Sequence, residues 1–285
     1  WGNFHTLSCP VTGKNYTTEQ AIRRLYYLGY TAEDEVIQRV LKRMEQCIKG
    51  ELDIDNYSEK KHDWVFFEKL MLAAWLRIFE PQNETALEVA YQWAQIVEKA
   101  FASGSYSVAD DIAAFTQWKG RKPKSGFETG FGMFYHAALL PGVLSPKTED
   151  LFLDYYLSKP DGMYYIYDKP LNQLPEVFAS RKSSCYIAAI EVLFRYDLAK
   201  EKLTFVIDWI NANRNENGKW DFGEKAKDGV YFPLSDRWDK TTRITDSTYR
   251  IIKLFGLPCY CGHDCSKCIT YIATQTNDDD LRRQS

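Results

Sequence analysis

The sequence predicts an all-α chain built as an α/α toroid, a double ring of helical hairpins, with a short cysteine-rich segment after it. Three observations carry this. Apolar residues recur at helical spacing along most of the 285 residues, as in Ile22, Leu25 and Tyr26, then Val65, Phe66, Leu70, Ala73 and Leu76, then Val89, Trp93, Ile96 and Val97. Period-two alternation is nearly absent, with one strand-like patch at Met163 to Asp168 ("MYYIYD"). A longer self-similarity lies beneath the helical one: an apolar helix end, a polar turn, a second helix, then Gly with an aromatic or aliphatic pair.

Four segments share that layout, and their first helices end near Tyr30, Phe79, Leu140 and Arg195, roughly 50 to 60 residues apart. A fifth apolar helix ends near Phe255. The second helices open on acidic or capping residues, Asp34, Glu35, Asn83, Glu84, Thr148 and Glu149, as solvent-facing N-termini do. The first helices are the more aromatic set, with Phe66, Phe67, Trp75, Phe134, Tyr135, Tyr186, Phe194 and Tyr249. That asymmetry favours a closed ring with the first helices inside, over residues 1–257, with 258–285 as the separate segment.

Composition agrees with a folded chain. At 45% hydrophobic and 15% aromatic, it has the means to bury roughly 75% of its unfolded surface. A net charge of −3 gives no global case for nucleic acid or an anionic membrane, and no apolar run reaches the ~20 residues of a membrane span. The N-terminus lacks the basic-then-apolar order of a signal peptide, so a cytoplasmic setting is expected. Cys9, Cys47 and Cys185 are widely spaced and read as buried thiols. The chain starts at Trp1 without Met, and the acidic run Asp278 to Asp280 opens a helix just before the last residue; both ends read as cut.

On the residues "NENGKWDF", Asn215 to Phe222, the chain resembles the Gly-x-Trp turn of the prenyltransferase and squalene cyclase repeat, through Gly218 and Trp220. The layout is similar to that α/α-toroid superfamily over roughly residues 15 to 256. The resemblance implies a central cavity for an isoprenoid or other mostly apolar ligand. The D-x-D-D acid motif of the cyclases is absent, and the Asp, Cys and His zinc ligands of the protein prenyltransferases have no counterpart on the ring. Polysaccharide lyases and glycosidases share the general architecture and stay open.

In a ring, the first helices run parallel and their N-termini share one rim. The entries to them are "KKHDW", "GFETG", "SRKSSCY" and "DKTTRITDS". Lys61, His62, Arg181, Lys182 and Arg243 are candidates to hold phosphate, diphosphate or carboxylate, because the helix dipole disfavours cations at an N-terminus and a capping role does not ask for them. Capping alone explains Asp63, Ser183 or Ser184, and Thr241 or Thr242. Trp64, Tyr135, Tyr186 and Tyr249 are the candidate aromatic lining, with Trp220 a further ligand-binding candidate.

For acid and base work, His62 beside Asp63 is one candidate, and Asp246 with Tyr249 and Arg250 on one helical face is another. His136 reads as a satisfied core histidine. The long irregular segment Trp220 to Lys240 is placed to fold over the mouth.

The stretch "CYCGHDCSKC" gathers four of seven cysteines within ten residues. Cys261, Cys265 and Cys268 have metal-knuckle spacing; Cys259 or His263 is the candidate fourth ligand, or the fourth ligand is missing from this stretch. The same spacing occurs in radical enzymes that use S-adenosylmethionine, but only 17 residues follow Cys268, too few for their barrel. "YCGHDCSKCITYIATQ" resembles the opening of a family of small cysteine-rich bacterial proteins of unknown function, and the resemblance implies zinc. Two functions stand side by side: a toroid that binds a small ligand with an anionic head group and an apolar or sugar portion, prenyltransferase- or cyclase-like enzymes included, or a non-enzymatic scaffold that presents a zinc knuckle and helical surfaces to a protein partner.

Overall fold

The computed structural model describes Phe4 and residues 17–53, 64–124 and 128–255. The described residues are all-helical: α1 Thr18–Tyr27, α2 Glu35–Lys49, α3 Trp64–Phe79, α4 Glu84–Ala100, α5 Val108–Lys119, α6 Phe134–Leu139, α7 Pro146–Ser158, α8 Arg181–Leu193, α9 Ala199–Lys202, α10 Thr204–Ala212 and α11 Lys240–Phe255. A single 3₁₀ turn, Glu224–Ala226, interrupts the long segment before α11. No strand forms among them. The "MYYIYD" patch is instead a tight turn with two isolated bridges, Met133 to Tyr164 and Met163 to Tyr167.

Local chemistry sets the helix ends. Thr17 and Gln20 close a capping box on α1, Asn83 accepts from the Ala86 amide at α4, and Ser107 accepts from Asp110 at α5. Gly50 and Gly120 end α2 and α5 in the left-handed conformation. Ser145, with Pro146 following it, caps α7, so the expected caps Thr148 and Glu149 lie one turn inside the helix. Ser180 caps α8, while the Asp239 carboxylate takes the Thr241 and Thr242 amides at α11; Ser183, Ser184, Thr241 and Thr242 are not the caps.

The predicted ends of the first helices hold closely, since α1, α3, α6 and α8 stop at Tyr27, Phe79, Leu139 and Leu193. Two departures stand out. An additional helix, α5, lies between α4 and α6, and α6 begins at Phe134 rather than near Gly126 to Gly130. The run around Gly130 is taken up by a turn in which the Asp111 carboxylate accepts from the Gly130 amide at 2.8 Å.

α3 is the hub. Every residue from Leu70 to Leu76 is buried, so the helix is apolar around its whole circumference and needs neighbours on all sides. It packs on α2, α4 and α6, and α6, itself wholly buried, packs on α8. Cations answer the helix C-termini. Arg77 donates to the carbonyls of Leu139 and Pro141, Arg195 to those of Ala138 and Arg77, and Lys253 to that of Tyr26. Each supplies donors to carbonyls at or just beyond a helix C-terminus, where the dipole also favours a positive charge.

His136 is in the core as expected, but it is not satisfied. Neither ring nitrogen has a hydrogen-bond partner, and the ring lies edge-on to Trp93 at 4.6 Å and Phe131 at 5.7 Å. Burial pulls its pKa down to about 3. An unfolded histidine binds its proton near pH 6.5, so the stability present above that pH is lost progressively as pH falls from about 6.5 toward 3. At about 1.4 kcal/mol per pH unit, going to pH 5 removes about 2 kcal/mol. Urea denaturation of wild type and His136→Leu at pH 7 and pH 5 should show the variant losing that much less stability on acidification; parallel losses in the two proteins would refute the assignment.

Candidate functional site

A buried carboxylate, Glu19, and a half-buried one, Glu191, organise the interior where the first helices meet. Glu19 on α1 accepts from the Trp75 indole of α3 at 3.2 Å, the Tyr135 hydroxyl of α6 at 2.7 Å and the Arg23 guanidinium at 3.1 Å. Arg23 in turn lies 5.0 Å from the Trp75 ring centroid and 4.5 Å from that of Phe134. Glu191 on α8 accepts from the Tyr27 hydroxyl of α1 at 2.7 Å and from Arg250 of α11 at 2.8 and 3.2 Å. Arg250 also donates to the hydroxyl and carbonyl oxygens of Ser184, and the rings of Tyr27, Tyr231 and Phe232 surround it.

The electrostatics follow from that burial. Loss of water alone would lower the pKa of Arg23 and Arg250, but neighbouring phenols and the two carboxylates outweigh it and hold both raised. Burial pushes the Tyr231 phenol up to about 12, against the pull of Arg23 and Arg250. Burial likewise holds the phenols of Tyr135 and Tyr27 well above their ordinary range, with the adjacent carboxylates adding to it. All three are protonated at neutral pH and are not bases, and Tyr135 and Tyr27 donate to the carboxylates.

Above the Glu19 cluster lies an open cleft of about 460 Å³, lined by Asp161, the 163–168 turn, Arg181, Lys182 and Cys185. The turn depends on Gly162, at φ +63°, because a Cβ there would sit 2.4 Å from the carbonyl oxygens of Tyr167 and Lys169. Hydrogen bonds from the Met163 amide to Tyr167 and from the Tyr164 amide to Gly132, both 2.9 Å, fix its course. Tyr165 adopts φ +77°, and its ring packs on Tyr164 at 4.2 Å and on Tyr135 at 5.6 Å, which joins the cleft to the interior cluster. The facing wall is the first turn of α8, where Arg181 and Lys182 are exposed. Cys185 is half-buried and free, and burial raises its thiol pKa, so it is protonated and a poor nucleophile at neutral pH. Cys47 is half-buried too, its thiol donating to the Asp53 carbonyl at 3.9 Å; neither thiol is in the core as expected, and Cys9 lies outside the described residues.

Of the residues singled out from the sequence, Arg181 and Lys182 line the cleft and Tyr135 lies beneath it. Tyr186 is wholly buried under it, donating to the Leu171 carbonyl at 2.8 Å and packing on Tyr167. Trp220 is buried with its indole donating to the Ile210 carbonyl at 2.7 Å. Arg243 is held by Asp221 through two bonds of 2.7 and 2.9 Å, so its charge already has a partner and it does not line the cleft. Asp246 accepts from the amides of Leu234 and Ser235 and from the Ser235 hydroxyl. It pins the Trp220 to Lys240 segment, whose Trp220, Phe222, Tyr231 and Phe232 are buried, and no bond joins it to Arg250. Tyr249 instead borders a separate cavity of about 180 Å³ with Tyr26, Tyr27, Glu191, Arg195 and Lys253. Lys61, His62, the Trp64 side chain, Cys259, Cys261, Cys265 and Cys268 lie outside the described residues. Among the described residues no group of three or more His, Cys, Asp or Glu could hold a metal ion.

Sequence reading missed Glu19, Arg23, Glu191 and Tyr231. A signal existed for two of them: Glu191 is the lone acid in the apolar run "YIAAIEVLF", and Glu19 precedes Arg23 by one helical turn. Comparison of the chain with protein-family models, characterised proteins and solved structures finds no match.

Arg250→Met strands the Glu191 carboxylate opposite an apolar side chain, and a loss of about 3–5 kcal/mol in urea unfolding is expected. Glu191→Gln in the same chain should return part of it, since the stranded charge is then gone. Equal losses in the single and double variants would show that packing, not charge, dominates.

Proposed function

We propose that this chain is an α/α toroid that binds a small ligand with an anionic head group at the mouth of its ring, with α1, α3, α6, α8 and α11 as the inner helices. Support for the ring comes from α1, whose side chains reach α3 and α6 through Glu19, α8 through Tyr27, and α11 through the carbonyl that accepts from Lys253. The observation that carries the binding reading is the 460 Å³ cleft, within the size range of small-molecule sites, in which two exposed cations stand opposite a tyrosine-rich turn. Arg offers a bidentate fork to carboxylate or phosphate, Lys a point charge, and the tyrosine rings a flat surface for an apolar or sugar portion. Arg243 and Asp246 are structural in this reading.

A second reading, a non-enzymatic scaffold for a protein partner, draws on the interior itself, where the Glu19 and Glu191 clusters occupy space that a deep ligand cavity would need. One titration separates the two. Calorimetry with inorganic phosphate, prenyl diphosphates and uronate oligomers should find at least one that binds wild type and loses about 10-fold or more in affinity in the Arg181→Ala/Lys182→Ala variant. No binding by any of them would leave the scaffold reading.

The zinc knuckle of Cys261, Cys265 and Cys268, with Cys259 or His263 as the fourth ligand, is a proposal that rests on spacing and resemblance alone. Elemental analysis of freshly prepared, untagged protein should find about one zinc per chain; correctly folded protein with neither zinc nor iron would end it.

A further inference from the structure

The two walls of the mouth cleft carry opposite charges that balance. Arg181 and Lys182 stand on one, at the start of α8, and Asp161 and Asp168 on the other, at the two ends of the tyrosine turn. Asp161 is held by Lys159, whose hydrogen bond keeps its carboxyl below the usual range. Asp168, Arg181 and Lys182 enter no ion pair among the described residues, although all three line one cleft. The cleft thus keeps opposite charges apart instead of letting them neutralise each other. The rings of Tyr164 and Tyr165 pack together at 4.2 Å and line the same cleft as Asp168, and Tyr164 is 45% exposed.

That distribution discriminates among anions. A group with several negative charges gains from the two cations but meets two carboxylates in the same cleft, and like charges brought close repel. A ligand with one anionic end and one cationic end meets a partner at each. We propose that the ligand of this cleft is a small zwitterion, its carboxylate or phosphate held by Arg181 and Lys182 and its ammonium group by Asp168 and the faces of Tyr164 and Tyr165. The inference rests on the anion-binding reading above and narrows it. An ammonium group beside a carboxylate and over aromatic faces gains from both the opposite charge and the ring quadrupoles, and a quaternary ammonium suits the same place. An amino-acid head group and a phosphocholine-type head group share this chemistry.

Calorimetric titration of both kinds of probe, each beside its singly charged halves, tests the inference. Phosphocholine is compared with choline and inorganic phosphate, and L-phenylalanine with L-phenylalaninamide and N-acetyl-L-phenylalanine. At least one zwitterion should bind wild type about 10-fold tighter than either of its halves. Asp168→Asn should remove the advantage over the anionic half and leave that half's own binding intact. Arg181→Ala/Lys182→Ala should abolish binding of the anionic half. All three side chains are exposed, so the variants should keep the wild-type thermal melt, which circular dichroism checks. If the zwitterion binds no tighter than its anionic half, or keeps its advantage in Asp168→Asn, while the double variant still loses the anion, the zwitterion is refuted and the anion site stands. If no probe binds wild type, or the double variant binds every probe unchanged, both are refuted.

Discussion

A carboxylate placed where water cannot reach it has to find donors in the protein, and in this chain Glu19 finds them on three helices at once. Removing an ionised carboxylate from water costs several kcal/mol even after relaxation, while each hydrogen bond to a charged group returns about 1.5–3 kcal/mol. With donors from Trp75, Tyr135 and Arg23, the sum for Glu19 is close to balance, so its contribution is to geometry more than to stability. Only one arrangement of α1, α3 and α6 satisfies it. Glu191 does the same for α1, α8 and α11 through Tyr27 and Arg250. The apolar surface of α3 drives collapse without direction, and the two carboxylates select which collapsed state is native.

The same economy of unsatisfied groups governs the helix ends. Arg77, Arg195 and Lys253 each donate to carbonyls at the C-terminus of a neighbouring first helix. Their hydrogen-bond partners are backbone atoms; Arg77 and Arg195 thereby carry positive charge into the interior without paired carboxylates, and burial lowers the pKa of both, while Lys253 stays exposed. At the opposite ends of the helices the pattern changes. Capping there is done by Ser180 and Asp239, which leaves Arg181 and Lys182 without a structural task, whereas Arg243 is occupied by Asp221.

Much of this was legible in the sequence, and the part that was not has physical causes. The first helices announced themselves because a buried helix needs an unbroken apolar stripe, and their ends at Phe79 and Leu139 fell where that stripe stops. The additional helix α5 hid because its outward face carries Val108 and Ile112, both exposed, which blurs its amphipathic pattern. Arg181 and Lys182 were recognisable as cations out of place at a helix start, and they are the two that line the cleft. Arg243 shared that signature, but its partner Asp221 lies 22 residues away in an irregular segment, and no local rule pairs residues across such a distance. Asp246 and Arg250 share a helix and were within reach of one another by spacing; tertiary partners in the 234–235 backbone and at Glu191 drew them apart.

What sequence spacing cannot convey is how the cleft joins the interior. Tyr165 has no helical or strand context, and its left-handed backbone arises from the closure of the turn at Gly162. That conformation lays its ring against Tyr135, and the Tyr135 hydroxyl ends on Glu19. The tyrosine wall of the cleft is therefore braced by the carboxylate that fixes the helices. Movement of Tyr165 disturbs a packed ring beside a buried hydrogen-bond cluster, so the contacts that order α1, α3 and α6 also hold this wall in place. Under the proposed ligand-binding function, a cleft with one such wall would meet its ligand largely preformed, and binding free energy would not be spent on ordering it.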